Sequence, residues 1–284
     1  MRFSVPDFRG LVAASLLAFA LAVPASVQAD SLLARRPPLA PTAAPATPFH
    51  SRLPAVGIEG ADDRVPADSR VWPWIAIGRL NREVGGHCTA ALIGPRQVLT
   101  AAHCLYNPAD ARWILPGEVH FVAGYRRGSF AGHAVGARFI IAPGYDPKHA
   151  TEPKQMARDW AIIELAAPLG IKPIPLSVLS LRDTMAAARA GEMNVAGYAA
   201  DHGEILLRHQ GCQLLGQASD VALLVHRCDV TYGVSGAPLL LLENGKAEII
   251  GIHNAVADTS KGVVATAVPV ASFASGVASA LSAR

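Results

Sequence analysis

The chain has 284 residues, 51% of them hydrophobic and 17% charged, with 25 glycines, 21 prolines and a formal net charge of +3. It is long enough to bury a substantial core, and its composition suits short strands and turns better than a helical bundle or an unfolded tail. The small net charge and the lack of any long Lys/Arg run argue against a nucleic-acid partner.

Arg2 and Arg9 precede an apolar run from Leu11 to Val23. Pro24 breaks that run, and Val27-Gln28-Ala29 supplies small residues suited to a cleavage site. Residues 1–29 therefore read as a secretory signal peptide, with an apolar run shorter than the roughly 20 residues a membrane span needs. The mature protein is expected to be soluble, secreted or periplasmic, with no membrane association after signal cleavage. Residues 30–55 are rich in Ala and Pro and lack strand alternation, so they read as a propeptide or a linker that stays attached.

From Trp72 onward the chain becomes a series of short apolar runs separated by turn residues. The first group comprises Trp74 to Leu80, Cys88 to Ile93, Gln97 to Ala101, Val119 to Tyr125, Ala134 to Ile141 and Trp160 to Leu165. The second comprises Met193 to Tyr198, Ile205 to Gln213, Val221 to Arg227, Leu239 to Leu242, Ala247 to Ile252 and Gly262 to Val268. Asn244-Gly245 is a strong signal for a type I′ hairpin. Regular short strands of this kind predict an all-β fold, here two six-stranded antiparallel barrels at about 70–175 and 190–268. Val270, Phe273, Val277 and Leu281 recur at helical spacing, predicting a short C-terminal helix over about 270–281, laid on the second barrel.

Four cysteines in an exported chain imply two disulfides, for which three connectivities are allowed. The sequence-adjacent pairing, Cys88 with Cys104 and Cys212 with Cys228, is favoured, each bridge contributing about 3 kcal/mol in the chain-entropy model. Zinc is not expected, because the spacings are long and Cys-x-x-Cys is absent.

Three motifs carry chemistry. Gly233-Val234-Ser235-Gly236-Ala237-Pro238 sets a serine between glycines, leaving the N–H groups of Gly233 and Ser235 free to meet an oxyanion. A serine hydroxyl needs a base. Thr100-Ala101-Ala102-His103-Cys104 offers one, because an imidazole titrates near working pH and a Cys88–Cys104 bridge would pin its turn. Arg158-Asp159-Trp160-Ala161-Ile162-Ile163-Glu164-Leu165 begins an apolar strand with a carboxylate, whose burial calls for a partner such as a histidine N–H. Each motif alone has a plainer reading: a turn, a structural histidine, or a strand-start Asp. Asp146, in Gly144-Tyr145-Asp146-Pro147, is a rival acid that looks like an ordinary turn residue.

Together, in the order His, Asp, Ser, these motifs resemble the chymotrypsin/trypsin-like serine proteases. Ile141-Ala142-Pro143-Gly144-Tyr145-Asp146 and Ala196-Gly197-Tyr198 agree, and the resemblance spans about residue 56 to the C-terminus. It implies two six-stranded barrels and a catalytic triad of His103, Asp159 and Ser235 in the cleft between them. It also implies an oxyanion hole from Gly233 and Ser235. Arg227-Cys228-Asp229 and Gly251-Ile252-His253 look most like the bacterial glutamyl-endopeptidase-like branch, and Val56-Gly57-Ile58 before Asp62-Asp63-Arg64 resembles that branch's mature N-terminus. Processing near Ala55–Val56 follows, with residues 56–284 as the protease domain.

Val234 departs from the family pattern, since an Asp there receives the freed α-ammonium in the digestive enzymes. Ala237 stands where a glycine is common. By resemblance the substrate pocket involves Asp229, Val230, His253, Asn254 and Gly262. His253 would read a substrate carboxylate and Asp229 would select Lys or Arg, while Val230 replaces the hydroxyl residue of glutamate-selective relatives. A small or apolar preference stays open beside these. His226 reads as a barrel residue without a role.

The resulting expectation is a secreted serine endopeptidase, a monomer acting on protein or peptide substrates through an acyl-enzyme, with preference for acidic residues as one outcome. No metal or organic cofactor is implied. The alternative is a catalytically silent binding protein on the same fold, motivated by Val234. A lipase-type nucleophile elbow is disfavoured, because Ala237 occupies the last Gly of Gly-x-Ser-x-Gly and His103 precedes the serine.

Overall fold

The computed structural model describes residues 57–282, apart from 191–192, 219 and 260–261. The expected signal peptide and residues 30–55 lie outside the described residues.

Strands β1 (Val65–Pro66), β2 (Ile77–Arg82), β3 (His87–Leu92), β4 (Gln97–Thr100), β5 (Tyr106–Asn107) and β6 (Arg112–Trp113) come first. They are followed by β7 (Val119–Ala123), β8 (Gly132–Ile141) and β9 (Ala161–Leu165). Six of these close into an antiparallel barrel in the order β2-β3-β4-β9-β8-β7. Its strands bury Ile77, Leu80, Leu92, Leu99, Phe121, Ile162 and Ile163 completely, some on the inner face of the barrel and some on the outer. The first predicted barrel is thus present with its strands within a few residues of expectation. Trp74–Ala76 is a 3-10 turn rather than the start of β2.

The second unit uses β10 (Met193–Gly197), β11 (Leu207–Gln210), β12 (Gln213–Gln217) and β13 (Leu224–Arg227). It continues with β14 (Pro238–Glu243), β15 (Lys246–Thr259) and β16 (Gly262–Pro269). With β1 these form an eight-stranded sheet, ordered β1-β11-β10-β14-β15-β16-β13-β12. The sheet curls but is not closed by hydrogen bonds as the first barrel is. Strand β12 is one edge and β11 lies next to the other edge strand, β1; β11 and β12 are halves of one stretch broken at Gly211, which has φ +71. The predicted strand Ile205 to Gln213 is therefore split, and the covalent chain carries the ring across the break.

Asn244 and Gly245 have φ of 48 and 75, both left-handed as a type I′ turn requires. Strand β15 runs further than predicted and bulges between His253 and Ala255. Side chains normally alternate along a strand, but the extra residue lets both His253 and Asn254 point inward, at 3% and 5% exposure.

The described residues also include three α-helices: α1 (Pro153–Met156), α2 (Leu181–Arg189) and α3 (Ala274–Ser282). Helix α2 was not expected, although Ser180 caps it by accepting from Asp183 N at 3.2 Å, a signal visible in the sequence. Helix α3 follows a 3-10 turn at Val270–Ser272. Contrary to expectation, it lies on the first barrel. Phe273 meets the Trp160 ring at 6.2 Å between centroids, and Gln97 Nε2 donates to Ala280 O at 3.5 Å. The large rings of Phe273 and Trp160 bury each other there, and the apolar spacing alone did not say which barrel they would meet.

Candidate active site

Strands β4 and β9 pair antiparallel with Thr100 opposite Ala161, so the chain leaves β4 and enters β9 at the same end of the barrel. His103 follows β4 on the 3-10 turn Ala102–Leu105, and Asp159 immediately precedes Trp160 and β9. Cys104 on this turn is bonded to Cys88 on β3, with Cα atoms 6.1 Å apart. Asp159 is 3% exposed. Both of its oxygens are taken by one residue: Oδ1 accepts from His103 N at 2.8 Å and Oδ2 from His103 Nδ1 at 2.7 Å. This geometry assigns the proton to Nδ1 and leaves the lone pair on Nε2. Burial opposes the imidazolium, but the charge and hydrogen bond of Asp159 outweigh it and raise the His103 pKa above its ordinary 6.5. The side chain of Tyr145 is buried nearby, and burial together with the Asp159 charge pushes its phenol well above 10.

Ser235 comes from the second unit, on the loop between β13 and β14. Two hydrogen bonds dock that loop on the first barrel: Thr89 N donates to Ser235 O at 2.9 Å and Thr89 Oγ1 donates to Gly233 O at 3.0 Å. Thr89 Oγ1 also accepts at 2.9 Å from Tyr198 N, which follows β10. The loop also ties to β15, where Gly236 N donates to His253 O at 2.8 Å. Gly236 has φ +81, and a Cβ there would stand 2.2 Å from Thr100 Oγ1, so only glycine fits. Cys104 Sγ lies 3.8 Å from both His103 Nε2 and Ser235 O, which places the serine beside the imidazole. Among the described residues no hydrogen bond joins the Ser235 hydroxyl to His103; such bonds are commonly long before substrate arrives.

The backbone around the serine is selective in what it leaves free. Val234 N donates to Thr231 O at 3.2 Å. The N–H groups of Gly233 and Ser235 have no protein acceptor among the described residues. The carbonyl of the Tyr232–Gly233 peptide accepts from Ala200 N at 2.6 Å, which turns the Gly233 N–H to the opposite side. Two backbone donors are thus available together next to Ser235.

A family model for trypsin matches residues 62–277, most of the chain. The chain belongs to the trypsin family. The glutamyl endopeptidase of Bacillus licheniformis is 28% identical over 113 residues, covering 39% of this chain and 33% of that protein. The match thus spans about a third of that relative's length. A solved structure described as a Glu endopeptidase in complex with MPD superposes with a TM-score of 0.63 at 25% identity, covering 80% of this chain and 99% of the other.

In this trypsin-family chain the expected pocket residues divide. His253 is buried, with an unpartnered Nδ1, and burial followed by the His103 charge lowers its pKa to about 4. The His226 ring stands edge-on to it at 5.6 Å, so the residue read as a plain barrel histidine backs His253 directly. Asn254 is committed at both ends: Nδ2 donates to Met156 O at 2.9 Å and Oδ1 accepts from Thr266 Oγ1 at 2.8 Å. Val230 is fully buried and donates its N–H to Gly57 O at 3.2 Å. Gly262, with φ +100, lies against Glu59. The Asp229 carboxylate accepts from Asp63 N at 2.8 Å and the Asp229 N–H donates to His209 Nδ1 at 2.8 Å, so Asp229 is held by Asp63 and His209 rather than by His253. Asp146 caps the following turn through Lys148 N at 3.0 Å and pairs with His149, as a turn residue does.

A hollow of about 530 Å³ opens beside His103 and Asp159, walled by Tyr106, Pro108, Met156 and Val256. Among the described residues two clusters contain metal-ligand residue types. In Cys88–His103–Cys104 both sulfurs belong to the disulfide, so no thiolate is available. In Asp63–His209–Asp229, His209 Nδ1 already accepts from Asp229 N at 2.8 Å. The described residues also include a second disulfide, Cys212–Cys228, as the favoured pairing expects. No helix of the described residues is long and apolar enough to cross a membrane.

Proposed function

We propose that this chain is a serine endopeptidase, with Ser235 as nucleophile, His103 as general base and acid, and Asp159 as the orienting carboxylate. The observation that carries the reading is the buried Asp159 holding His103 at 2.7 and 2.8 Å while two unclaimed backbone donors flank the serine loop. His103 Nε2 takes the Ser235 proton as Oγ bonds to the substrate carbonyl carbon. The carbonyl oxygen gains the negative charge, which the N–H groups of Gly233 and Ser235 stabilise. The C–N bond then breaks, and the imidazolium returns the proton to the leaving amine. Water repeats the sequence on the acyl-enzyme and frees Ser235.

The preferred residue before the cut is acidic. His253 is the pocket residue with an unpartnered ring nitrogen, and an entering carboxylate would favour its protonated form. The carboxylate of Asp229, the group that would attract Lys or Arg, already accepts from Asp63 N. The glutamyl endopeptidase relatives support the same choice. Export through residues 1–29, removal of residues up to Ala55, and monomeric action on secreted or periplasmic protein substrates belong to this reading. The two disulfides support an oxidising compartment. Val234 does not favour the silent binding-protein alternative: its side chain is buried in the apolar core, 3% exposed, so it needs no ionic partner.

The test is digestion of an unbiased peptide mixture by the purified mature protein, with Ser235→Ala alongside and products identified by mass spectrometry. Cuts after Glu or Asp that vanish in Ser235→Ala are expected. Equal cutting by both proteins would overturn the reading, and cuts after Lys or Arg would transfer the pocket role to Asp229.

A further inference from the structure

Three consecutive residues before the oxyanion turn are held by one stretch of chain near the start of the domain. Asp229 Oδ2 accepts from Asp63 N at 2.8 Å, Val230 N donates to Gly57 O at 3.2 Å, and Thr231 Oγ1 accepts from Arg64 Nη1 at 3.3 Å. Arg64 is the charged member of this strap, and its side chain is only 3% exposed. Its guanidinium forks onto two carboxylates. Nε and Nη2 donate to Asp62 at 2.9 and 2.8 Å, and Nη1 and Nη2 donate to Asp201 at 3.2 and 2.6 Å. Burial works against its charge, but Asp62 and Asp201 hold it fully protonated. Burial would likewise raise the Asp201 carboxyl, yet Arg64 and Thr231 keep it below the usual carboxylate range.

Asp201 is where this buried fork meets the oxyanion turn. Its Oδ1 accepts from Thr231 Oγ1 at 3.1 Å, and Thr231 O closes the turn by accepting from Val234 N at 3.2 Å. The residue before it, Ala200, donates to Tyr232 O at 2.6 Å, the bond that aims the Gly233 N–H. Two short routes therefore run from Arg64 to the Tyr232–Gly233 peptide, one through Thr231 and one through Asp201 and Ala200. Val234 carries no charge that a freed chain terminus could pair with.

We propose that Arg64 is a positioning residue for this reaction: its buried fork on Asp201 and Thr231 holds the Tyr232–Gly233 peptide so that the Gly233 N–H faces the developing oxyanion. The inference rests on the endopeptidase reading above. Its cation is a side chain, so the clamp needs no freed α-ammonium. Lysine keeps the charge but loses the planar fork, and Asn at 201 keeps the shape but loses the charge.

The test uses the mature protein with Arg64→Lys and Asp201→Asn. The concentration of working sites is set by end-point titration with a serine-directed phosphonate, so that any loss of folded protein is corrected. For each variant kcat, KM and the affinity for a peptide boronic acid, which forms a tetrahedral adduct on the serine, are measured. A fall in kcat of about tenfold or more is expected, with KM within about twofold and a matching loss of boronate affinity, because only transition-state binding is removed. The acid limb of the pH profile should stay where it is in the wild type, since His103 is untouched. Unchanged kcat per titrated serine in both variants, whatever happens to their melting temperatures, would overturn the role of Arg64 while leaving the endopeptidase reading intact. A wild type without Ser235-dependent hydrolysis would instead overturn the endopeptidase reading, and this inference with it.

Discussion

Asp159 gives both carboxylate oxygens to His103, one to the backbone and one to the ring, so it fixes the position and the tautomer of the base together. Asp159→Asn keeps the shape but presents an N–H to Nδ1, favouring the wrong tautomer. By the serine-protease template kcat should fall by about 10⁴, measured on the best peptide from the digestion screen. The raised pKa of His103 sets the pH dependence. Catalysis needs the neutral ring, and Asp159 keeps the ring protonated to a higher pH than the ordinary 6.5. Activity should therefore be lost as pH falls through a midpoint above 6.5, read from kcat/KM against pH and from NMR titration of His103 in Ser235→Ala. A midpoint at or below 6.5 would show that the Asp159 pairing is not felt in solution. All three residues were legible in the sequence, because each sits in a short motif whose neighbours are diagnostic. Thr89 was not. Its hydroxyl joins Gly233 O to Tyr198 N from a strand position that looks like any β-branched core residue.

Thr89 also shows how the two β-units are fastened at the site. Strand β3 presents its hydroxyl to the serine loop, so that loop takes its position from the barrel it does not belong to. Thr89→Val preserves shape and leaves Gly233 O without its donor. A loss of about 1–3 kcal/mol is expected in denaturant unfolding, together with reduced kcat; unchanged stability would mean that the loop finds another donor. The C-terminal helix is fastened in a comparable way. Phe273 is fully buried against Trp160, the neighbour of Asp159. Phe273→Ala should destabilise by about 3–5 kcal/mol, measured the same way. Strand positions were readable throughout, because alternation and turn residues are local. The interruption at Gly211 and the bulge at Asn254 were not, because both depend on which neighbouring strand sets the register.

The domain is held together by an internal strap as well as by its sheets. Residues Gly57 to Arg64 bind the wall that leads to the serine, and cleavage before Val56 would leave that strap whole. Intact-mass measurement and N-terminal sequencing of the protein exported by its natural route should therefore find Val56 first. A terminus beyond Arg64 in a fully active protein would remove the strap from the account. Membership of the trypsin family and the proposed order His, Asp, Ser agree on where the chemistry would be placed.

From sequence alone came the strand-rich architecture, the pairing of cysteines at equal spacing, the residues of the proposed triad and the expectation of an export signal. These are encoded in short windows, where composition, alternation and a few neighbours suffice. Tertiary structure decided that Asp229 is held by Asp63 and His209, that Asn254 bridges Met156 and Thr266, that α3 chooses the first barrel, and that Arg64 reaches Thr231. The last pair is 167 positions apart in the chain. A buried charge has no preferred partner until the fold brings one within about 3 Å and removes the water that would otherwise satisfy it.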